Sequence, residues 1–85
     1  MLLKPISIGS HARFEMRRRG ITEAEVIAVI RNPDQVVPTR KGRNIHQSRI
    51  ANQRILLRVI VKEGARAYHI ITAYKTSKIE RYWQT

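Results

Sequence analysis

Two apolar runs flank a short turn between Arg54 and Lys75, and no other feature of the chain limits its fold as much. The stretch reads R-I-L-L-R-V-I-V-K-E-G-A-R-A-Y-H-I-I-T-A-Y-K. Both arms are rich in β-branched and aromatic residues, and Lys62-Glu63-Gly64-Ala65-Arg66 between them supplies the turn, so the stretch predicts a β-hairpin at the centre of the domain. An even register about Gly64 puts Ile55, Leu57, Val59, Val61, Ile71 and Ala73 on one face, the core, with His69 as a packing residue on that side. The other face then carries Arg54, Leu56, Arg58 and Ile60 beside Tyr68, Ile70, Thr72 and Tyr74. A guanidinium in the middle of a central apolar strand needs a reason. Arg58 is either ion-paired, a snorkelling edge residue, or part of an open anion-binding sheet surface.

The remaining segments are read around this hairpin. Met1 to Gly9 is a lead-in whose Leu2, Leu3 and Ile6 or Ile8 pack on the core or form an edge strand. Ser10 is expected to cap a helix over residues 11–19, anchored by Ala12, Phe14 and Met16 and stopped by Gly20. His11 is an ordinary first-turn residue and Arg17-Arg18-Arg19 a solvated basic face. Thr22-Glu23-Ala24-Glu25 has capping-box spacing and opens a second helix, with Ile21 stapled to Val26 and a buried face of Val26, Ile27, Val29 and Ile30. Asn32-Pro33-Asp34 ends it. Residues 35–37 and 44–50 read as strands joined by a basic loop, and 51–53 as the turn into the hairpin. Ser77 and Glu80 repeat the capping-box spacing, which predicts a short helix through Tyr82 and Trp83 covering a sheet edge. Tyr82 and Trp83 are aromatic anchors or, alternatively, stacking platforms for RNA bases. The fold class is therefore α+β: two N-terminal helices packed on an antiparallel four-stranded sheet with a short C-terminal helix, one domain over residues 1–85.

At 85 residues and 42% hydrophobic composition the chain can bury one modest core. The absence of cysteine excludes a disulfide scaffold and a thiolate metal site, and three scattered His lack metal-ligand spacing, so neither metal nor cofactor is implied. A cytoplasmic location follows, and the N-terminal residues show neither a signal peptide nor a membrane span. Charge points to the partner. Seventeen Lys and Arg against six Asp and Glu give +11, which attracts polyanions, nucleic acid first and an anionic membrane second. The basic residues do not follow one amphipathic helix, which disfavours the membrane. Between Asp34 and Glu63 no acid occurs, while Arg40, Lys41, Arg43, Arg49, Arg54, Arg58 and Lys62 do. The positive charge belongs to the sheet, and Arg outnumbers Lys, as bidentate phosphate contact favours.

Two blocks resemble known families. Ser10 to Thr22, S-H-A-R-F-E-M-R-R-R-G-I-T, is similar to the opening of a small bacterial domain family of unassigned function that begins His-Ala-Arg and continues into Arg-Gly-Ile. His69 to Tyr82, H-I-I-T-A-Y-K-T-S-K-I-E-R-Y, resembles the C-terminal block of BrnT-type toxins, which belong to the RelE-like ribonucleases; that block usually has Arg where this chain has Tyr74. The resemblance implies a RelE-like fold with helices on one side of the sheet and RNA on the other. It also implies a metal-independent endoribonuclease acting as the toxin of a toxin–antitoxin pair, with RNA, ribosome-associated mRNA included, as substrate and an antitoxin protein as partner. In such chemistry the ribose hydroxyl attacks the neighbouring phosphate, which needs a proton acceptor, a proton donor and cations for the phosphorane. Arg58 is the first candidate for the phosphate, with Arg54 or Lys75 beside it. His46, Lys75 and Tyr74 are the candidates for proton transfer, and Arg13, Arg40, Lys41, Arg43, Arg54 and Tyr82 for RNA binding. A non-catalytic RNA- or DNA-binding module, and a subunit gripping an acidic protein, fit the same charge.

Overall fold

A computed structural model describes residues 4–39 and 41–85. Arg40, Leu2 and Leu3 lie outside the described residues. The elements run β1 (Ile6–Ile8), α1 (Ser10–Arg18), α2 (Glu23–Arg31), β2 (Gln35–Pro38), β3 (Arg43–Ile50), β4 (Ile55–Glu63), β5 (Tyr68–Thr76) and α3 (Ile79–Tyr82). The strands form one sheet in the order β1-β5-β4-β3-β2. The α+β class stands, but the sheet is five-stranded and mixed. Ile6, Ser7 and Ile8 pair parallel with Tyr68, His69 and Ile70, so the lead-in closes an edge that a four-stranded antiparallel sheet would leave open. Three residues are too few to show a strand period, and the backbone bond from the Tyr68 N–H to the Pro5 carbonyl (2.9 Å) extends the pairing.

The helices cover one face. Ala12 and Met16 of α1 and Val26, Val29 and Ile30 of α2, with Ile21 between them, pack on Leu57, Val59, Val61, Ile70 and Ala73. Thr22 completes the capping box: its hydroxyl accepts the Glu25 N–H at 3.1 Å, while the Glu25 carboxylate accepts the Thr22 N–H at 3.0 Å. Those bonds hold the Glu25 carboxyl below its ordinary range, the Thr22 backbone bond most, with Lys75 adding to it and burial opposing it. Three helix details differ from expectation. Ser10 is itself helical, its N-cap is Gly9, and no side chain caps α1. Phe14 and Ile27 are 62% and 41% exposed rather than buried; Phe14 stands two positions from both Ala12 and Met16, which turns it to the opposite side of α1. Gly20 does hold the left-handed conformation (φ +68°) that stops α1.

The hairpin forms with one irregularity that re-phases half of it. Arg58 faces Tyr74 and Val59 faces Ala73, but Ile60 faces Thr72 while Val61 faces Ile70, so Ile71 is an extra residue. A bulge of this kind shifts the alternation by one position. Hence Ile70, not Ile71, joins the core, and His69 moves out of it to an exposed position opposite Lys62.

Candidate nucleic-acid interface

Side chains alternate along β4, so with Leu57, Val59 and Val61 in the helix-packed core, Leu56, Arg58, Ile60 and Lys62 point to the distal face. Residues paired across strands share a face. Arg58 therefore lies beside Gln47 and Tyr74, Lys62 beside Arg43 and His69, and Leu56 beside Arg49 and Thr76. At the centre, Arg58 is 6% exposed. Its Nε donates to Gln47 Oε1 at 2.8 Å and its Nη1 to the Tyr74 hydroxyl at 2.5 Å. Gln47, wholly buried, donates in turn to Gln35 Oε1 (2.8 Å) and to the Tyr82 carbonyl (3.2 Å).

The C-terminal segment lies over this cluster and reaches the edge strand β2 at Gln35. The Tyr82 ring sits 4.2 Å from the Arg58 guanidinium carbon and the Trp83 ring 4.3 Å from that of Arg49. The Gln84 N–H donates to Gln35 Oε1 at 3.0 Å, and the Gln35 amide returns a bond to the Gln84 carbonyl. Here the expected Ser77 cap is not made. The N-cap of α3 is Lys78, whose N–H goes to Thr76 Oγ1 at 3.0 Å. Arg58 is thus neither open nor ion-paired: among the described residues its partners are a neutral amide, a phenol and an aromatic ring.

The two faces differ in how charge is compensated. Among the described residues the ion pairs are Lys4–Glu63, Arg13–Glu23, Arg18–Glu15, Arg19–Glu15 and Lys75–Glu25, at 2.5–3.4 Å. All draw on the helices or on strand residues turned toward their side. On the distal face the strands carry Arg43, Arg49, Arg58 and Lys62 and no acid; Glu63, next to Lys62, turns to the helix side, and Glu80 of α3 lines a cleft with Arg49. These four cations form no ion pair among the described residues.

The predicted site residues divide accordingly. Arg58, Tyr74 and Tyr82 come together, with Arg43 on the same face and Lys41 exposed in the loop before it. Arg54 is exposed in the turn between β3 and β4, its N–H bonded to the Ala51 carbonyl at 3.2 Å. His46 and Lys75 do not join Arg58. His46 pairs with Val59 and Lys75 with Leu57, both on the helix face, so the sheet itself separates them from the guanidinium. The Lys75 ammonium instead meets Glu25 at 3.4 Å and the Gly20 carbonyl at 3.3 Å. His46 is 5% exposed with both ring nitrogens buried and unpartnered, its ring edge-on to Tyr68 at 5.9 Å. Burial lowers its pKa, and only Glu63 opposes the shift. Arg13 belongs to the helix side, bonded to Glu23 at 2.7 Å and to the Ile8 carbonyl at 3.2 Å.

Sequence reasoning missed Gln35, Gln47 and the Arg49–Trp83 stack. Neutral amides carry no sequence signal; the parity of Gln47 with Arg49 shows only once β3 is registered on β4. Among the described residues no helix is long and apolar enough to cross a membrane. No curated protein matches the chain, and no solved structure does. A family model matches residues 8–75, from the end of β1 almost to the end of β5, and on that span the chain belongs to the family described as Domain of unknown function (DUF4258).

Proposed function

We propose that the domain binds RNA across the distal sheet face and is a metal-independent endoribonuclease of the RelE-like, BrnT-like toxin type, with Arg58 at the scissile phosphate. One observation carries the reading: a guanidinium is held almost fully buried by neutral partners, on a face whose strands carry cations and no carboxylate. An uncompensated buried charge is unfavourable, and an anion that reaches it by displacing the Tyr82 ring now lying over it relieves it. A phosphorane gathering charge beside preorganised donors gains most from such a site. Tyr74 and Tyr82 touch the same guanidinium and are the groups of this chain best placed to meet the ribose or its phosphate. An acidic antitoxin would complement the same face.

A second reading, a non-catalytic RNA-binding module, is favoured by the separation of His46 and Lys75 from Arg58. One experiment separates the two. The chain is induced in cells while growth and RNA integrity are followed, and purified protein is incubated with RNA in EDTA. The toxin reading expects growth arrest and EDTA-resistant fragments with cyclic or 3′ phosphates and free 5′ hydroxyls. Intact RNA that is nevertheless bound supports the module, and strict Mg²⁺ dependence excludes the proposed chemistry.

A further inference from the structure

We infer that the cleft between β3 and α3 is a second phosphate subsite, taking the RNA phosphate next to the one at Arg58. This rests on the RNA reading above. The cleft is an open depression of about 540 Å³ between Arg49, Ser77, Lys78, Ile79, Glu80 and Arg81. Three cations there face one carboxylate. None of the three is ion-paired among the described residues.

Arg49 carries the argument. Its guanidinium lies 4.3 Å from the Trp83 ring, and stacking of this kind occupies the flat faces of the group while leaving its edge N–H donors for an acceptor in the plane. Its Nε is buried without a hydrogen-bond partner, an unmet donor that a phosphate oxygen would satisfy. Arg81, in the same cleft, lies 5.6 Å from the Tyr82 ring, whose 4.2 Å neighbour is Arg58. One aromatic side chain thus borders both cationic positions. Arg49 pairs with Leu56, two residues from Arg58 on the same face, so the two arginines are diagonal neighbours whose backbones lie roughly 7–8 Å apart.

Trp83 is the only tryptophan in the chain, so its fluorescence reports on Arg49. The full chain is titrated at low ionic strength with a short unstructured RNA and, separately, with inorganic phosphate. Arg49→Met keeps an unbranched stem against Trp83 and removes the charge; Arg81→Gln changes an exposed residue and leaves the sheet intact, so it decides the matter should Arg49→Met fold poorly. The wild type is expected to show a saturable change in emission with both ligands. Each variant should bind RNA about tenfold more weakly, the loss of one charge-assisted contact, with a log–log salt slope shallower by about 0.7. The phosphate response should vanish in Arg49→Met. Unchanged affinity and slope in the variants, with wild-type binding intact, overturn the subsite and leave the RNA reading standing. Should the wild type bind no RNA, the RNA reading fails and the subsite as an RNA site fails with it; a phosphate response abolished by Arg49→Met would then preserve the anion site alone.

Discussion

Arg58 strands little when it is removed, because what it holds is neutral. Its loss deprives buried Gln47 Oε1 of the Arg58 donor, and an orphaned buried acceptor costs about 1–3 kcal/mol. Breaking a buried ion pair would cost about 3–5 kcal/mol. Arg58→Ala should therefore destabilise the domain by about 1–3 kcal/mol in urea or thermal melts, while lowering RNA cleavage by roughly 10²–10³-fold, the effect of one oxyanion-type contact. A variant that melts early yet cleaves at the wild-type rate would remove Arg58 from the site. His46 makes the opposite kind of residue-level prediction. Burial keeps its imidazole below the ordinary 6.5, so as pH falls the unfolded chain takes the proton first. The stability gained from the neutral ring is complete above about pH 6.5 and is lost as pH drops from there through the depressed folded value. The nearby Glu63, itself held by Lys4, softens the loss without reversing it. In His46→Leu the melting temperature should be flat where the wild type declines below pH 6.5. Glu15 and Glu25, whose carboxyls lie below 4.5, lose their contributions only at more acidic pH. A wild-type decline that persists in His46→Leu would assign it to another group.

The turn between β3 and β4 stores strain that can be relieved. Ala51, Asn52 and Gln53 all have positive φ, at 51°, 58° and 70°, and the left-handed conformation costs roughly 1–2 kcal/mol for a residue with a Cβ. Glycine there gives back about 0.5–1 kcal/mol in unfolded-state entropy. Gln53→Gly should thus raise stability by about 0.5–1 kcal/mol in urea titrations; a loss would show that the turn is not strained at this residue. Local rules made part of the fold readable from the sequence, although the caps read at Ser10 and Ser77 did not form. The Thr22–Glu25 box depends on four consecutive residues and formed as read, and β4 keeps strict alternation from Leu56 to Lys62 because both of its faces are filled. The far half of β5 was not readable. A bulge is decided by how two strands meet, and one extra residue at Ile71 exchanged the roles of Ile70, Ile71 and His69. The site divides along the same line. Arg58 stood out as a charge in an apolar strand, and Tyr74, on the near side of the bulge, stayed on the face predicted for it. His46 and Lys75 attracted notice as titratable groups, yet their side of the sheet follows from registers with Val59 and Leu57 that no local pattern reveals.

Over the whole molecule, charge gives two salt responses of opposite sign. At +11 on 85 residues the folded state repels itself, so added salt should raise the melting temperature of the free protein from low ionic strength. RNA affinity should fall over the same range, because each phosphate contact releases counterions, with a log–log slope of about −0.7 per contact on a single strand. Where the cations stand matters more than their number. Arg43 and Lys62 face each other on the distal surface without an ion pair, while Arg17 is an exposed cation of α1 on the helix side. All three contribute equally to net charge. If binding followed net charge alone, Arg17→Gln would shift the slope half as far as Arg43→Gln/Lys62→Gln. With RNA lying across the distal face, the double variant should make the slope shallower by about 0.7–1.4, and Arg17→Gln should leave it unchanged. Binding titrations from 50 to 300 mM salt on the three proteins measure this, and equal per-charge effects from both faces would refute a sheet-face interface while keeping electrostatic attraction to RNA.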